Sequence, residues 1–345
     1  MNSKYENLEQ YEAYEDLFNP LIVDRKGRRK RRPEANFKRK ETQAEIVAKS
    51  ADAIGLEGGL QISYRPSRHE AGWLMQSLRP FFEQELISDV EALVKGGKEA
   101  NVYRCAAHPA TGEKWLAAKV YRPRMFRNLS NDQMYRQGRR TLTANGIPVK
   151  GSDTRVMRAL GKKTAFGKQV AHTSWLMHEH EALELLYEAG GDVPRPFAAE
   201  ENGIVMAYVG DASGAAPALS EINLDKDEVW SLFRRVLDNI ALMLQYGRIH
   251  GDLSAYNILY WQGDIILIDF PQIANCRVGS STHAVGSRVN PDAEFIFERD
   301  VTRVCEYFMG QGVRCDPQAI TADLWQRYVE DDMEKRLADA SMWEE

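Results

Sequence analysis

The stretch His250-Gly251-Asp252-Leu253-Ser254-Ala255-Tyr256-Asn257 sets an aspartate five residues ahead of an asparagine, and Asp269 follows twelve residues later at the end of an apolar run. Side chains ending in oxygen at this spacing suit phosphoryl transfer. That chemistry asks little covalent work of a protein. It asks for an acceptor hydroxyl held in line, metal ions on the phosphates, and positive charge where negative charge gathers. Asp252 is placed to meet the incoming hydroxyl. Asn257 and Asp269 are placed to give oxygens to Mg²⁺, a hard ion that prefers them. The plain alternative is an Asp252 that caps a turn and an Asp269 that closes a buried strand. The complete H-x-D-x-x-x-x-N spacing, with an apolar helix before it and a hairpin after it, weighs against that.

Lys119 stands mid-strand in Ala117-Ala118-Lys119-Val120-Tyr121. A lysine between apolar neighbours must find an anion or lose its charge. The third strand of a kinase sheet carries such a lysine, which holds nucleotide phosphates. Its partner should be a glutamate on the following helix. Glu179 is preferred over Glu181 because it lies beside Leu176 and Leu183 at i+3 and i−4 spacing. Upstream, Val94-Lys95-Gly96-Gly97-Lys98-Glu99-Ala100-Asn101-Val102-Tyr103 places glycines between two strands, where backbone N–H groups can approach phosphate. Its glycines match neither G-x-G-x-x-G nor the Walker form, and on those alone a hairpin turn reads as well. Its place about twenty residues before Lys119 raises it.

These residues need a scaffold, and the chain predicts an α+β one. Leu74, Leu78, Phe81, Phe82 and Leu86 recur at helical spacing from Trp73 onward. Ile87–Val94, Ala100–Ala106 and Trp115–Tyr121 read as strands of an antiparallel meander, and Ile204–Val209 as another strand. Residues 123–172 read as a long basic insert, with ten basic residues against Asp132 and Asp153 between Arg127 and His172. A helix is expected over about 174–189, and one after Asp225-Lys226-Asp227-Glu228, which has the form of a capping box. Asn257–Tyr260 and Ile265–Asp269 flank a Gln262-Gly263 turn, and helices follow at about 291–309 and 321–340. The division expected is a charged, largely disordered segment over 1–65, a sheet-rich lobe over 66–209 and a helix-rich lobe over 210–345.

Three of these stretches together resemble the RIO family of atypical protein kinases: Gly97-Lys98-Glu99-Ala100-Asn101-Val102-Tyr103, His250 to Asn257, and Ile268-Asp269-Phe270-Pro271-Gln272. The likeness runs over about residues 73–310. It implies a trimmed two-lobed kinase fold that binds ATP with Mg²⁺ or Mn²⁺. It further implies phosphorylation of serine, including on the protein itself, or ATP hydrolysis with phosphate passing transiently to Asp269. Carried over, Asp252 is the proton acceptor, Asn257 and Asp269 are metal ligands, and Lys119, paired with Glu179, is the phosphate lysine. The loop residues Gly96, Gly97, Lys98, Glu99, Ala100 and Val102 cover the phosphates. Met206 gates the adenine pocket, and the backbone of Ala207 and Val209 binds adenine. The family's link to small-ribosomal-subunit maturation suggests an RNA particle as partner. There are departures. Lys95-Gly96-Gly97 stands where many members have Ser-Thr-Gly, and Asn290-Pro291-Asp292-Ala293-Glu294-Phe295 resembles one subfamily while the glycine loop resembles another.

The composition narrows the alternatives. The formal net charge of −5 hides an asymmetry: residues 25–40 hold ten basic residues and only Glu34 as an acid. With 127–168 they make two basic segments suited to RNA phosphates. Cys105, Cys276, Cys305 and Cys315 form no C-x-x-C pair, so neither a disulfide framework nor a zinc site is expected. No run of apolar residues is long enough to span a membrane, and the start lacks the apolar core of a signal peptide, so a cytoplasmic protein is expected. Two other functions stay open. The catalytic-loop motif also occurs in small-molecule phosphotransferases of the aminoglycoside- and choline-kinase type, although those lack the Gly-Lys-Glu-Ala-Asn-Val-Tyr loop. A nucleotide-gated RNA-particle binder is the other. Ser130, Ser152, Thr154 and Thr164 are candidate acceptors in cis.

Overall fold

The structure, a computed structural model, describes residues 61–97, 99–122, 139–278 and 288–330. The first strand, β1 (Gln61–Ile62), pairs in parallel with β2 (Ile87–Gly96). The sheet therefore begins before residue 66, ahead of the expected boundary. Helix α1 (Arg68–Glu83) lies between them and starts five residues before the expected Trp73. Its start is a capping box. The Ser67 hydroxyl accepts from the Glu70 N–H, and the Glu70 carboxylate accepts from the Ser67 N–H. Strands β2, β3 (Ala100–Ala107) and β4 (Trp115–Tyr121) form the antiparallel meander.

Alternation along β4 fixes the two faces of the sheet. Leu116, Ala118 and Val120 pack with Leu74, Leu78 and Phe81 of α1 in one core. Lys119 and Tyr121 point to the opposite face, by the period of two in a strand. Part of the basic insert is helical. Residues 123–138 lie outside the described residues, but α2 (Thr154–Gly161) and the first turns of α3 (Ala165–Glu188) fall within the span read as a loop. No side chain of α2 is buried, so its sequence carries no burial rhythm to read. The turn between α2 and α3 is tight: a Cβ on Gly167 would meet the Ala159 carbonyl oxygen at 2.0 Å.

Strand β5 (Pro196–Glu200) was not foreseen; it has no buried residue and opens on proline. With β6 (Gly203–Ala207) it completes a six-stranded sheet in the order β1-β2-β3-β4-β6-β5. The second half holds α4 (Lys226–Gln245), β7 (Arg248–Ile249), the hairpin β8 (Ile258–Trp261)/β9 (Asp264–Leu267), β10 (Ala274–Asn275), β11 (Arg277–Val278), β12 (Arg288–Val289), α5 (Ala293–Gly310) and α6 (Pro317–Trp325). The last helix was expected four residues later. Asp316 caps it by accepting from the N–H groups of Gln318 and Ala319. One continuous core runs from Tyr121 and Ile204 of the sheet through α3 to α4 and α5, and so binds the two halves together. Among the described residues no helix is long and apolar enough to cross a membrane.

Candidate active site

Lys119 sits where the two halves meet. Its Nζ lies 2.5 Å from Glu179 Oε1 of α3 and 2.5 Å from Asp269 Oδ1 of the loop after β9. Burial works against the charge of the lysine. The Asp269 and Glu179 carboxylates reverse this and hold the ammonium well above its usual range. Burial pushes Glu179 up, against the pull of Lys119. The Tyr121 hydroxyl donates to Glu179 Oε2, and its ring meets Trp175 edge-on with centroids 4.9 Å apart. Asp269 titrates below the usual carboxylate range. Partial enclosure, with 44% of the side chain still exposed, works against its charge, and Lys119, with Lys95 as a weaker contributor, outweighs it. Its φ of +72° lies in the left-handed region, which aspartate enters more readily than most residues.

The catalytic-loop motif is held from below. Gly251 has φ +84°, and a Cβ there would meet the Gln272 carbonyl oxygen at 2.1 Å. Its N–H donates to Asp300 Oδ2 of α5 at 2.7 Å. Burial pushes the Asp300 carboxyl up to about 6. The buried His250 ring bridges the two acidic segments: Nε2 lies 3.1 Å from the Ile268 carbonyl oxygen, and Nδ1 accepts the Asp252 N–H at 3.3 Å. Both bonds suit the neutral ring protonated on Nε2, and burial lowers its pKa to about 4. The ring thus ties the Asp252 loop to Ile268, the residue next to Asp269. Asn257 Nδ2 donates to the Asp252 carbonyl at 2.9 Å and approaches Asp252 Oδ2 at 3.5 Å. The Ile268 N–H donates to the Asn257 carbonyl at 3.0 Å, so the hairpin brings Asn257 beside Asp269.

The glycine loop joins β2 to β3. Gly97 must be glycine, since a Cβ would meet the Ala100 carbonyl oxygen at 2.6 Å. Lys98 lies outside the described residues. The Glu99 carbonyl accepts the Arg122 N–H at 2.9 Å. Ala100 pairs with Tyr121, and Val102 with Lys119, so Val102 lies directly across from the lysine. Gly96 ends β2 opposite Asn101. At the other rim, Met206 is half-buried and pairs with Ala117. The Ala207 N–H is taken by the Arg195 carbonyl, and the Val209 carbonyl by the Ala216 N–H. Among the described residues nothing takes the Val209 N–H, which suits a group that is to bind a base edge.

Three contributors carried no local spacing signal. Glu70 of α1 accepts from the Tyr103 hydroxyl; Tyr103 in turn accepts from Asn101 Nδ2 at 2.9 Å, and Asn101 Oδ1 faces the Gly97 N–H at 3.4 Å. Tyr121 holds Glu179. Arg303 of α5 donates to Asp252 Oδ1 at 2.8 Å. All three act across elements far apart in the chain. Only the identities of Asn101 and Tyr103 within the glycine-loop motif hinted at the first.

The site suits a divalent metal that shares its coordination with phosphate. Asn257 spends its Nδ2 on Asp252, which leaves its side-chain Oδ1 to coordinate; Asp269 Oδ2 is left by the Oδ1 pair with Lys119. Mg²⁺ is bound in this way, by few protein oxygens completed by phosphate and water. A sheet lysine paired with a helix glutamate meets an aspartate beside an aspartate–asparagine loop, the arrangement of a kinase-like fold. The chain belongs to the RIO domain family, whose match covers residues 101–320. It is 25% identical over 233 residues to the RIO-type serine/threonine-protein kinase Rio1 of Haloferax volcanii, covering 66% of either chain. It is 30% identical over 200 residues to the serine/threonine-protein kinase RIO1 of Chaetomium thermophilum, covering 55% of this chain and 36% of that one. The chain thus spans between about a third and two thirds of the length of these relatives. Among solved structures, the Rio2 kinase–ADP/Mg²⁺–phosphoaspartate complex of Chaetomium thermophilum covers 86% of this chain and 84% of its own at 20% identity. The TM-score is 0.46.

Proposed function

We propose that the chain is an ATP-dependent serine/threonine protein kinase of RIO type that phosphorylates itself or another protein, with ATP hydrolysis as a companion outcome. The observation that carries this is the meeting of Lys119 with Glu179 and Asp269, each at 2.5 Å. Lys119 would hold the nucleotide phosphates. The loop of Gly96, Gly97, Lys98, Glu99, Ala100 and Val102 would cover them, and Met206, Ala207 and Val209 would line the adenine end. Asn257 and Asp269 would hold Mg²⁺ or Mn²⁺, which supplies charge neutralisation on the phosphates when bound. Asp252 Oδ2 would take the proton of the attacking hydroxyl. In hydrolysis, Asp269 would itself accept the phosphoryl group and then lose it to water. The lobes would divide near Gly210, and the protein would work in the cytoplasm.

The test is incubation with γ-labelled ATP and Mg²⁺ or Mn²⁺. Label should appear on the protein or as free phosphate, and Asp269→Ala should abolish it. No turnover by the pure wild type contradicts the proposal. Turnover of a hydroxyl-bearing metabolite far above autophosphorylation would favour a small-molecule phosphotransferase instead. An RNA particle is proposed as a partner because Lys150, Arg155, Arg158, Lys162, Lys163 and Lys168 are all exposed on one short stretch around α2.

A further inference from the structure

The catalytic loop from His250 to Asn257 contains no lysine or arginine. Lys119 comes from the sheet and is tied to Glu179 and Asp269, so it serves the donor side of the cleft. Transfer moves the phosphoryl group, with negative charge on its equatorial oxygens, toward Asp252, which is itself an anion. Something must offset that repulsion on the acceptor side.

The geometry points to Arg303 as that cation: its guanidinium meets the phosphoryl group as the group leaves ADP for the acceptor. This rests on the phosphotransferase reading above and deepens it. Arg299 and Arg303 are one turn apart on α5 and face the catalytic loop together. Arg299 donates to the Gly251 carbonyl and lies 3.2 Å from Asp300 Oδ1, which docks the helix against the loop. Arg303 then sets Nη1 2.8 Å from Asp252 Oδ1. This leaves Oδ2 as the oxygen for the acceptor's proton. Asp252 is the one partner Arg303 has among the described residues, and 40% of its side chain is exposed. A guanidinium carries five N–H donors in a planar fork, so one arm can stay on the carboxylate while another takes a phosphoryl oxygen.

The step balances as follows. The acceptor oxygen forms a bond to the γ-phosphorus, and its proton passes to Asp252 Oδ2. The bond from the γ-phosphorus to the β–γ bridging oxygen breaks, and its electron pair leaves on ADP. Arg303 moves no proton; it offsets charge. A surface ion pair alone contributes little to stability, so the role shows in rate and not in folding.

The test uses full-length protein in three forms: wild type, Arg303→Gln and Arg303→Lys. Turnover of γ-labelled ATP, affinity for ADP, affinity for ADP with aluminium fluoride (a mimic of the group in flight) and the unfolding midpoint are measured on each. Loss of one such donor costs about 100-fold in rate. The expected result is therefore a fall of about 100-fold in turnover for Arg303→Gln. ADP affinity should stay within two-fold, the unfolding midpoint should not move, and the extra affinity for the fluoride complex should be lost. Arg303→Lys should recover part of each loss. Turnover within a few-fold of wild type, or above it, overturns the role, as does a loss matched by weaker ADP binding or a lower midpoint. If wild type itself shows no turnover, the phosphotransferase reading falls first and takes this role with it. If wild type turns over and Arg303→Gln does too, only the role of Arg303 falls.

Discussion

Lys119 is pulled in two directions, by a buried setting that opposes its charge and by two carboxylates that demand it. Removing one member of a buried pair leaves the other uncompensated. Lys119→Met strands Glu179, of which only 1% is exposed, with the Tyr121 hydroxyl as its remaining partner. Urea unfolding at neutral pH should show a loss of about 3 kcal/mol, and adding Glu179→Gln should return part of it. His250 gives a second test at this scale. Its folded pKa of about 4 lies below the ordinary value of 6.5, so the folded state resists protonation. Stability from this group is therefore complete above pH 6.5 and is lost as pH falls toward 4. Asp300, raised to about 6, works the other way over an overlapping range, so His250 must be isolated by comparison. Between pH 7 and pH 5 the stability advantage of wild type over His250→Gln should shrink by about 2 kcal/mol. Backbone strain gives a third: at φ +72°, Asp269→Gly should be more stable than Asp269→Ala by about 1 kcal/mol, although neither should turn over.

Among the elements, α1 connects to the phosphate loop through buried polar atoms. Glu70 closes the helix's capping box and also anchors Tyr103, which holds Asn101 under Gly97. Tyr103→Phe cuts this chain while keeping the ring in its core. One lost hydrogen bond is worth about 1 kcal/mol, so ADP should bind about five-fold more weakly, with little change in maximal turnover. Elements with a rhythm could be read from the chain. The apolar run Trp115–Tyr121 after a glycine-bearing turn marked β4, and the turn at Gln262-Gly263 marked the hairpin. Elements without one were missed. Helix α2 buries nothing, and β5 is half-exposed throughout, so neither leaves a hydrophobic period in the sequence. The end of Glu179's helix was read within a residue, at 189 against Glu188, but its start at Ala165 was hidden among lysines and glycines.

For the molecule as a whole, local spacing picked out the residues but not the contacts between them. Asp252 and Asn257 stand five apart, and a reader can infer their meeting. The contacts of Lys119 with Asp269, Glu70 with Tyr103, and Arg303 with Asp252 depend on how the sheet, α1 and α5 dock, which no short window of sequence records. The basic surface around α2 differs: its cations lie within residues 150–168, so the charge was legible in the sequence and the helix that carries it was not. Six exposed cations there, neutralising single-stranded RNA, give a slope of log affinity against log salt of about −4. Binding measured between low and high salt should show that slope. Arg155→Glu with Lys162→Glu and Lys163→Glu should weaken binding and leave ATP turnover intact; salt-independent binding would remove RNA as the partner. The central claim is that Lys119, Asp252, Asn257 and Asp269 gather around one triphosphate. A crystal structure with a non-hydrolysable ATP analogue and Mn²⁺ tests it most directly, through the anomalous signal of the metal. The account predicts a metal peak about 2.1 Å from oxygens of Asn257 and Asp269, with the phosphates against Lys119 and the γ-phosphate facing Asp252. Nucleotide bound elsewhere, or metal bound away from Asn257 and Asp269, would contradict it.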